Sequence, residues 1–183
     1  MDLEQLKKLL ADHGVDISAF GIGKAKTLAN LLEEVNSGET QLEVAEGILV
    51  RSVGVVSIDV YCRVGAVRMR LTEDRQEFLD GRVRKRDYLY GAVSEKMNPG
   101  EEVTNAIGRG LAEELKVSNF SVENLTEPII TSLESPSYPG LQSKYTTYEV
   151  SVNLDVSDYR PEGYVEEQGD KSTFFVWEKS PKT

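Results

Sequence analysis

Cysteine, histidine and tryptophan are almost missing from this chain: its 183 residues hold one of each, Cys62, His13 and Trp177. A single cysteine permits no internal disulfide and makes a cytosolic setting the default. Cys62 sits in a strand-like run and reads as buried filler rather than a nucleophile. The one histidine lies in the N-terminal segment, which removes His-rich zinc sites and argues against a Ser-His-Asp apparatus. No apolar run approaches the roughly 20 residues of a membrane span. The start, MDLEQLKKLL, is acidic and lacks the apolar centre of a signal peptide. A cytoplasmic protein with no membrane partner is therefore expected. Basic residues are also outnumbered, 21 Lys and Arg against 31 Asp and Glu, for a net charge of −10. That balance argues against general nucleic-acid binding, which relies on basic surface. Hydrolytic chemistry in such a chain falls to carboxylates and a hard metal ion.

What is present divides into two parts, an N-terminal helical extension over 1–46 and a main domain over 47–183. Leu3, Leu6, Leu9 and Leu10 recur at helical spacing over residues 2–12, ending near His13-Gly14. A second helix is predicted from about Lys24 to Asn36, closed by Ser37-Gly38. Together they read as a helical hairpin, either a cap on the main domain or a homodimer contact. Gly21-Ile22-Gly23-Lys24 lacks the full spacing of a phosphate loop and reads as the start of the second helix. Strands are predicted over Ile48 to Tyr61, Val67 to Leu71, Val122 to Leu133, Tyr145 to Val156 and Thr173 to Trp177. Asp80-Gly81 is a turn signal, followed by Arg82-Val83-Arg84-Lys85-Arg86. In a strand, Arg82, Arg84 and Arg86 point to one side. They form either a charged edge that blocks sheet association or a cationic wall for a diphosphate. Ser135 to Gly140 is a stiff loop, and Tyr138 and Tyr145 beside it serve either packing or stacking on a base or sugar. The acidic loop from Arg160 to Lys171 holds Glu162, Glu166, Glu167 and Asp170.

The densest stretch runs from Glu95 to Val117, EKMNPGEEVTNAIGRGLAEELKV. Asn98-Pro99-Gly100 is turn chemistry. Beyond it, Val103, Ile107, Leu111 and Leu115 mark one stripe of a helix, with Glu101 and Glu102 expected in its first turn. Glu113 and Glu114 follow Gly110 by three and four residues and share a strip with it. Adjacent carboxylates either form a solvated face, with an Arg109–Glu113 pair, or share a divalent cation with substrate phosphates.

This stretch resembles a Nudix box: Gly, five residues, Glu, seven residues, Arg-Glu-apolar, one residue, Glu-Glu, one residue, Gly-apolar. Glu101, Arg109, Leu111, Glu113, Glu114 and Val117 fall on the pattern, and Pro99-Gly100 is also characteristic of it. Glu95 stands in place of the first Gly, Gly110 in place of the Glu after the Arg, and Lys116 in place of the last Gly. The carboxylate absent at 110 is one the family uses for metal binding, and a glycine inside a helix costs about 1 kcal/mol relative to alanine. The resemblance implies an α/β fold, a Nudix-like α/β/α sandwich around a mixed β-sheet, with Phe174, Phe175 and Trp177 on a last strand entering a helix. It implies a hydrolase of a nucleoside diphosphate linked to another group. Mg²⁺ or Mn²⁺ would be held by Glu113 and Glu114, with Glu101 binding through water or supporting Arg109. Glu166 or Glu167 would act as general base or further ligand, and Arg82, Arg84 and Arg86 would hold phosphate. The Ser-Pro-Gly loop resembles one in family members acting on ADP-ribose and nucleotide sugars, although Lys144 stands where an acid usually follows. The alternative is a binding module of the same fold, without turnover, for a nucleotide-like ligand or a protein partner.

Overall fold

The computed structural model describes residues 1–85 and 91–180. Ten strands and three helices among them give the α/β class with a mixed sheet. In chain order these are α1 (Leu3–Asp12), α2 (Leu28–Ser37), β1 (Gln41–Ala45), β2 (Ile48–Val64), β3 (Val67–Phe78), β4 (Val83–Arg84) and β5 (Val93–Lys96). There follow α3 (Val103–Leu115), β6 (Phe120–Leu125), β7 (Ile129–Glu134), β8 (Gln142–Leu154), β9 (Tyr164–Glu167) and β10 (Lys171–Lys179). They form two compact units. The first is Met1–Val55, Lys96–Glu101 and Pro128–Thr147, and the second is Val56–Glu95, Glu102–Glu127 and Tyr148–Thr183.

In the first unit both N-terminal helices start on capping boxes. Asp2 accepts from the Gln5 N–H and Thr27 from the Asn30 N–H, while each partner side chain returns a bond to the cap. Thr27 sets the second helix start at Leu28, later than the expected Lys24; residues 21–24 form turns instead. Leu6, Leu10 and Leu31 pack with Leu49, Tyr138 and Leu141 into a buried core. Tyr138 is fully buried, its ring 5.5 Å from that of Phe20. The Pro-rich loop plants it there, with the Tyr138 N–H donating to Ser135 Oγ at 3.1 Å and the Lys26 N–H to the Ser137 carbonyl at 2.8 Å. Tyr138 is thus a core residue: of the two roles open to it, packing is the one it takes, and stacking on a base or sugar needs an exposed face that it does not have. Strand β1 pairs antiparallel with the first half of β2, and β7 with the first half of β8.

The second unit has strand order β6-β8-β2-β3-β10-β9, with β4 on β3 and β5 on β2. The single strand expected over Val122 to Leu133 is two, β6 and β7. The break falls at Thr126–Pro128, where proline has no N–H for a ladder. Among the described residues of the basic ribbon, Val83 and Arg84 alone are in a strand; Arg86 lies outside the described residues. The last strand enters no helix among the described residues. Cys62 is fully buried in β2, as expected, and burial raises its thiol pKa. Helix α3 buries Ile107, Leu111 and Leu115 of its apolar stripe. It begins at Val103 rather than at the preceding acids: Glu102 is its N-cap and Glu101 lies before it.

Candidate metal and phosphate site

A β-bulge shapes one cavity of the second unit. Strand β10 runs antiparallel to β3 with Thr173 opposite Gln76, but the register shifts between Phe174 and Phe175, so Phe175 faces Glu73. In an unbroken strand, residues three apart point to opposite faces. The bulge brings Glu73 and Gln76 to one face instead, where both are buried and Gln76 Nε2 donates to Glu73 Oε2 at 3.2 Å. On the other side of β10, Thr173 is opposite Glu166 of β9. Gln76, Thr173 and Glu166 therefore form one cross-strand row.

These three side chains, with Glu73, Glu114, Ser94 and Lys171, line a cavity of about 270 Å³. Its wall at Gly91 depends on the absence of a side chain. A Cβ there would lie 2.3 Å from the Ile58 backbone, and the Gly91 N–H donates to Ser57 Oγ at 3.1 Å. Glu114 reaches the cavity from the last turn of α3. Burial pushes its carboxyl up to about 8, the charges of Glu166, Glu95 and Glu73 add to this, and a bond from the Ser94 N–H only partly opposes it. Thr173 Oγ1 is buried and has no hydrogen-bond partner. A buried hydroxyl without a partner is costly, and this one lies beside carboxylates.

The expected residues separate on inspection. Glu114 and Glu166 meet at the cavity. Glu113 does not join them: its side chain is 60% exposed and 3.9 Å from Arg109 Nη1, because consecutive helical residues diverge. Glu167 is exposed on β9, opposite Ser172, and alternation turns it from the face that Glu166 occupies. Arg109 binds Glu95 at 2.6 Å. Glu101 accepts the Asn98 N–H at 2.8 Å and closes the Pro-Gly turn. Arg84 is exposed, but its Nε and Nη2 both donate to Gln76 Oε1, which ties it to the cavity wall. Arg82 is instead engaged by Asp80 at 2.7 Å. Tyr145 is half-buried and its hydroxyl accepts from Arg51 Nη1 at 3.4 Å. Lys144 is exposed on β8.

Sequence reasoning missed Glu73, Gln76, Lys171 and Thr173. Their convergence depends on the bulge and on strand register, neither of which leaves a local signal. Among the described residues no three His, Cys, Asp or Glu side chains already stand at metal-ligand spacing. The donor chemistry nevertheless suits a hard divalent ion: carboxylate oxygens from α3, β3 and β9, and a hydroxyl without a partner. A cation there would also offset the burial and the neighbouring carboxylates that raise the Glu114 carboxyl.

No protein-family model and no curated protein matches this chain. Among solved structures, an Ap4A hydrolase from C. elegans is similar over 70% of this chain and 80% of its own, at 12% identity and a TM-score of 0.37. A binary complex of a C. elegans Ap4A hydrolase is similar over 69% and 80%, at 14% identity and a TM-score of 0.34. DR0079 from Deinococcus radiodurans is similar over 68% and 65%, at 18% identity and a TM-score of 0.34.

Proposed function

We propose that this protein is a divalent-metal-dependent hydrolase of the Nudix type, cleaving a nucleoside diphosphate linked to another group. The observation that carries the reading is the meeting of Glu114, from the box-like helix, with Glu166, from the late acidic segment, in one cavity. Glu114, Glu73 and the Thr173 hydroxyl would hold Mg²⁺ or Mn²⁺. The ion, when bound, supplies neutralisation of the diphosphate charge. Arg84 and Lys171 bind phosphate oxygens through charge-assisted bonds. Gln76 fixes the Arg84 guanidinium at the rim and so sets where those oxygens sit. Glu166 accepts the proton of the attacking water. Water attacks phosphorus directly, so no covalent intermediate is required. ADP-ribose and nucleotide sugars are the substrates to try first.

A second reading, a binding module without turnover, draws on the outward position of Glu113 and on Gly110. The two differ in one assay. The hydrolase reading expects Mg²⁺- or Mn²⁺-dependent product from a panel of diphosphate compounds, abolished by Glu114→Gln. A panel giving ligand-induced thermal stabilisation but no product in either metal overturns it in favour of the binding module.

A further inference from the structure

Strand β7 of the first unit is open along one side. Among the described residues it pairs with β8 alone, in a register that runs from Ile129 opposite Thr147 to Glu134 opposite Gln142 without a shift. Every second residue of β7 therefore turns its N–H and C=O toward the side that no strand occupies. All six residues are exposed, Ile129, Ile130 and Leu133 at 47%, 62% and 38%. Folded proteins blunt such edges with charges, proline or bulges, because a bare edge is a template for another strand. The end strands of the second unit's sheet carry these devices: β6 is broken by a bulge between Val122 and Asn124, and β9 holds Glu166 and Glu167. From Ile129 to Leu133, β7 has no charge, no proline and no shift of register.

We propose that β7 pairs antiparallel with β7 of a second copy of this chain, across a two-fold axis at Thr131. A two-fold axis normal to a sheet keeps every side chain on its own face, so residues that meet across it differ in number by an even count. With Thr131 opposite Thr131, Ile129 of one copy lies opposite Leu133 of the other, on both sides of the axis, and apolar meets apolar. Shifting the axis to Ser132 sets Ile130 against Glu134, and shifting it to Ile130 sets Leu133 against Glu127. Charge selects the same occupant and the same register. Each copy has a net charge of −10, so two copies repel over most of their surface. The strip from Ile129 to Leu133 is neutral, and the acids that flank it, Glu127 and Glu134, fall opposite Ser135 and Pro128 of the other copy. Tyr145 is opposite Thr131 on β8, so a row of Tyr145, Thr131, Thr131 and Tyr145 crosses the seam on one face.

The test combines sedimentation of the full chain with cross-linking. Wild type should double in mass as loading rises from about 1 to about 100 μM. Thr131→Lys sets like charges face to face at the axis. It should stay at monomer mass throughout and melt as wild type does, because Thr131 is exposed. Register is read from introduced cysteines, against a background in which Cys62 is fully buried. Residues opposite one another on antiparallel strands are within disulfide reach. Under mild oxidation Thr131→Cys should therefore give a covalent dimer. Ile129→Cys alone should not, whereas Ile129→Cys mixed with Leu133→Cys should. Cross-linking at position 131 supports the pairing even where Thr131→Lys does not fold. A monomer at every loading overturns it and leaves the edge to a strand of another protein. A dimer that Thr131→Lys leaves intact, or one that cross-links through Ile129→Cys alone, also overturns it, since the copies then meet on another surface or in another register.

Discussion

Arg51 Nη2 lies 2.7 Å from Glu34 Oε2, and the two side chains are only 4% and 6% exposed. Lys26 and Lys96 approach the other carboxylate oxygen at 2.6 and 3.1 Å. Burial by itself pushes the Glu34 carboxyl up, but bonds from Lys26 and Arg51 and the charges of Lys96 and Arg51 outweigh it and bring it to about 2. A pKa lowered by folding stabilises the fold above the unfolded value of 4.5, and that contribution is lost as pH falls through about 2. The shift corresponds to about 3 kcal/mol. Glu34→Gln should therefore cost about 3–5 kcal/mol near neutral pH, since it leaves Arg51 buried without its counter-charge. Urea unfolding at pH 7 and near pH 2 measures the difference. An equal cost at both would mean that charge pairing is not what Glu34 contributes.

Glu114 has the opposite sign. Its carboxyl is raised by folding from 4.5 to about 8, so ionisation opposes the fold. Stability is fullest below pH 4.5 and declines as pH rises through about 8. Glu114→Gln mimics the protonated form, and it should melt higher than wild type at pH 9 but not at pH 4. Adding Mg²⁺ at pH 9 should raise the melting point of wild type and leave the variant unmoved. Thermal scans at the two pH values, with and without the ion, check both. A wild-type melting point flat from pH 5 to 9 would contradict the sign.

The elements built on local signals were legible in the chain. The leucine repeat of α1, the four-residue stripe of α3 and the turns at Gly38, Gly81 and Gly100 all appear where the sequence predicts them. So does the burial of Cys62. What local pattern does not carry is register. The β3 bulge turns Glu73 toward Gln76, and the opposition of Thr173 to both Gln76 and Glu166 follows from three strands aligning. Adjacent Glu113 and Glu114 look equivalent in sequence, yet helical geometry sends one to solvent and the other to the cavity. Sequence left Tyr138 open between packing and stacking for a related reason. An aromatic residue in a Pro-rich loop resembles a ligand platform, whereas here the loop folds inward and the ring completes the core.

Lys116 ends α3 in the left-handed conformation, at φ 58 and ψ 39. The box-like pattern has glycine at this position, and the backbone explains why, since a Cβ crowds the neighbouring carbonyl there. Its Nζ donates to the Glu113 carbonyl at 2.7 Å, an exposed bond that offsets little of the strain. Lys116→Gly should stabilise the protein by about 1 kcal/mol. Chemical denaturation at neutral pH measures it, and a loss of stability would show that the lysine bond outweighs the backbone cost.

The arginines at 82 and 84 look alike in sequence and differ in what holds them. Arg82 is spent on Asp80 in its own turn, through Nε at 2.7 Å, and its guanidinium lies 5.0 Å from the Phe78 ring centre. Arg84 is tethered to Gln76 Oε1, a neutral acceptor that leaves the guanidinium charge without compensation at that contact. Gln76 in turn lines the cavity. A diphosphate seated there meets Arg84 in a fixed orientation, while binding to Arg82 first requires breaking an ion pair. Arg84→Ala should therefore weaken binding of pyrophosphate, measured by calorimetry with Mg²⁺ present, about tenfold. Arg82→Ala should change it little. Gln76→Ala should reproduce part of the Arg84→Ala loss, since it frees the guanidinium to move. Equal losses from the two arginine variants would mean that the ribbon acts only through its overall charge, and that loss should then fade as salt is raised.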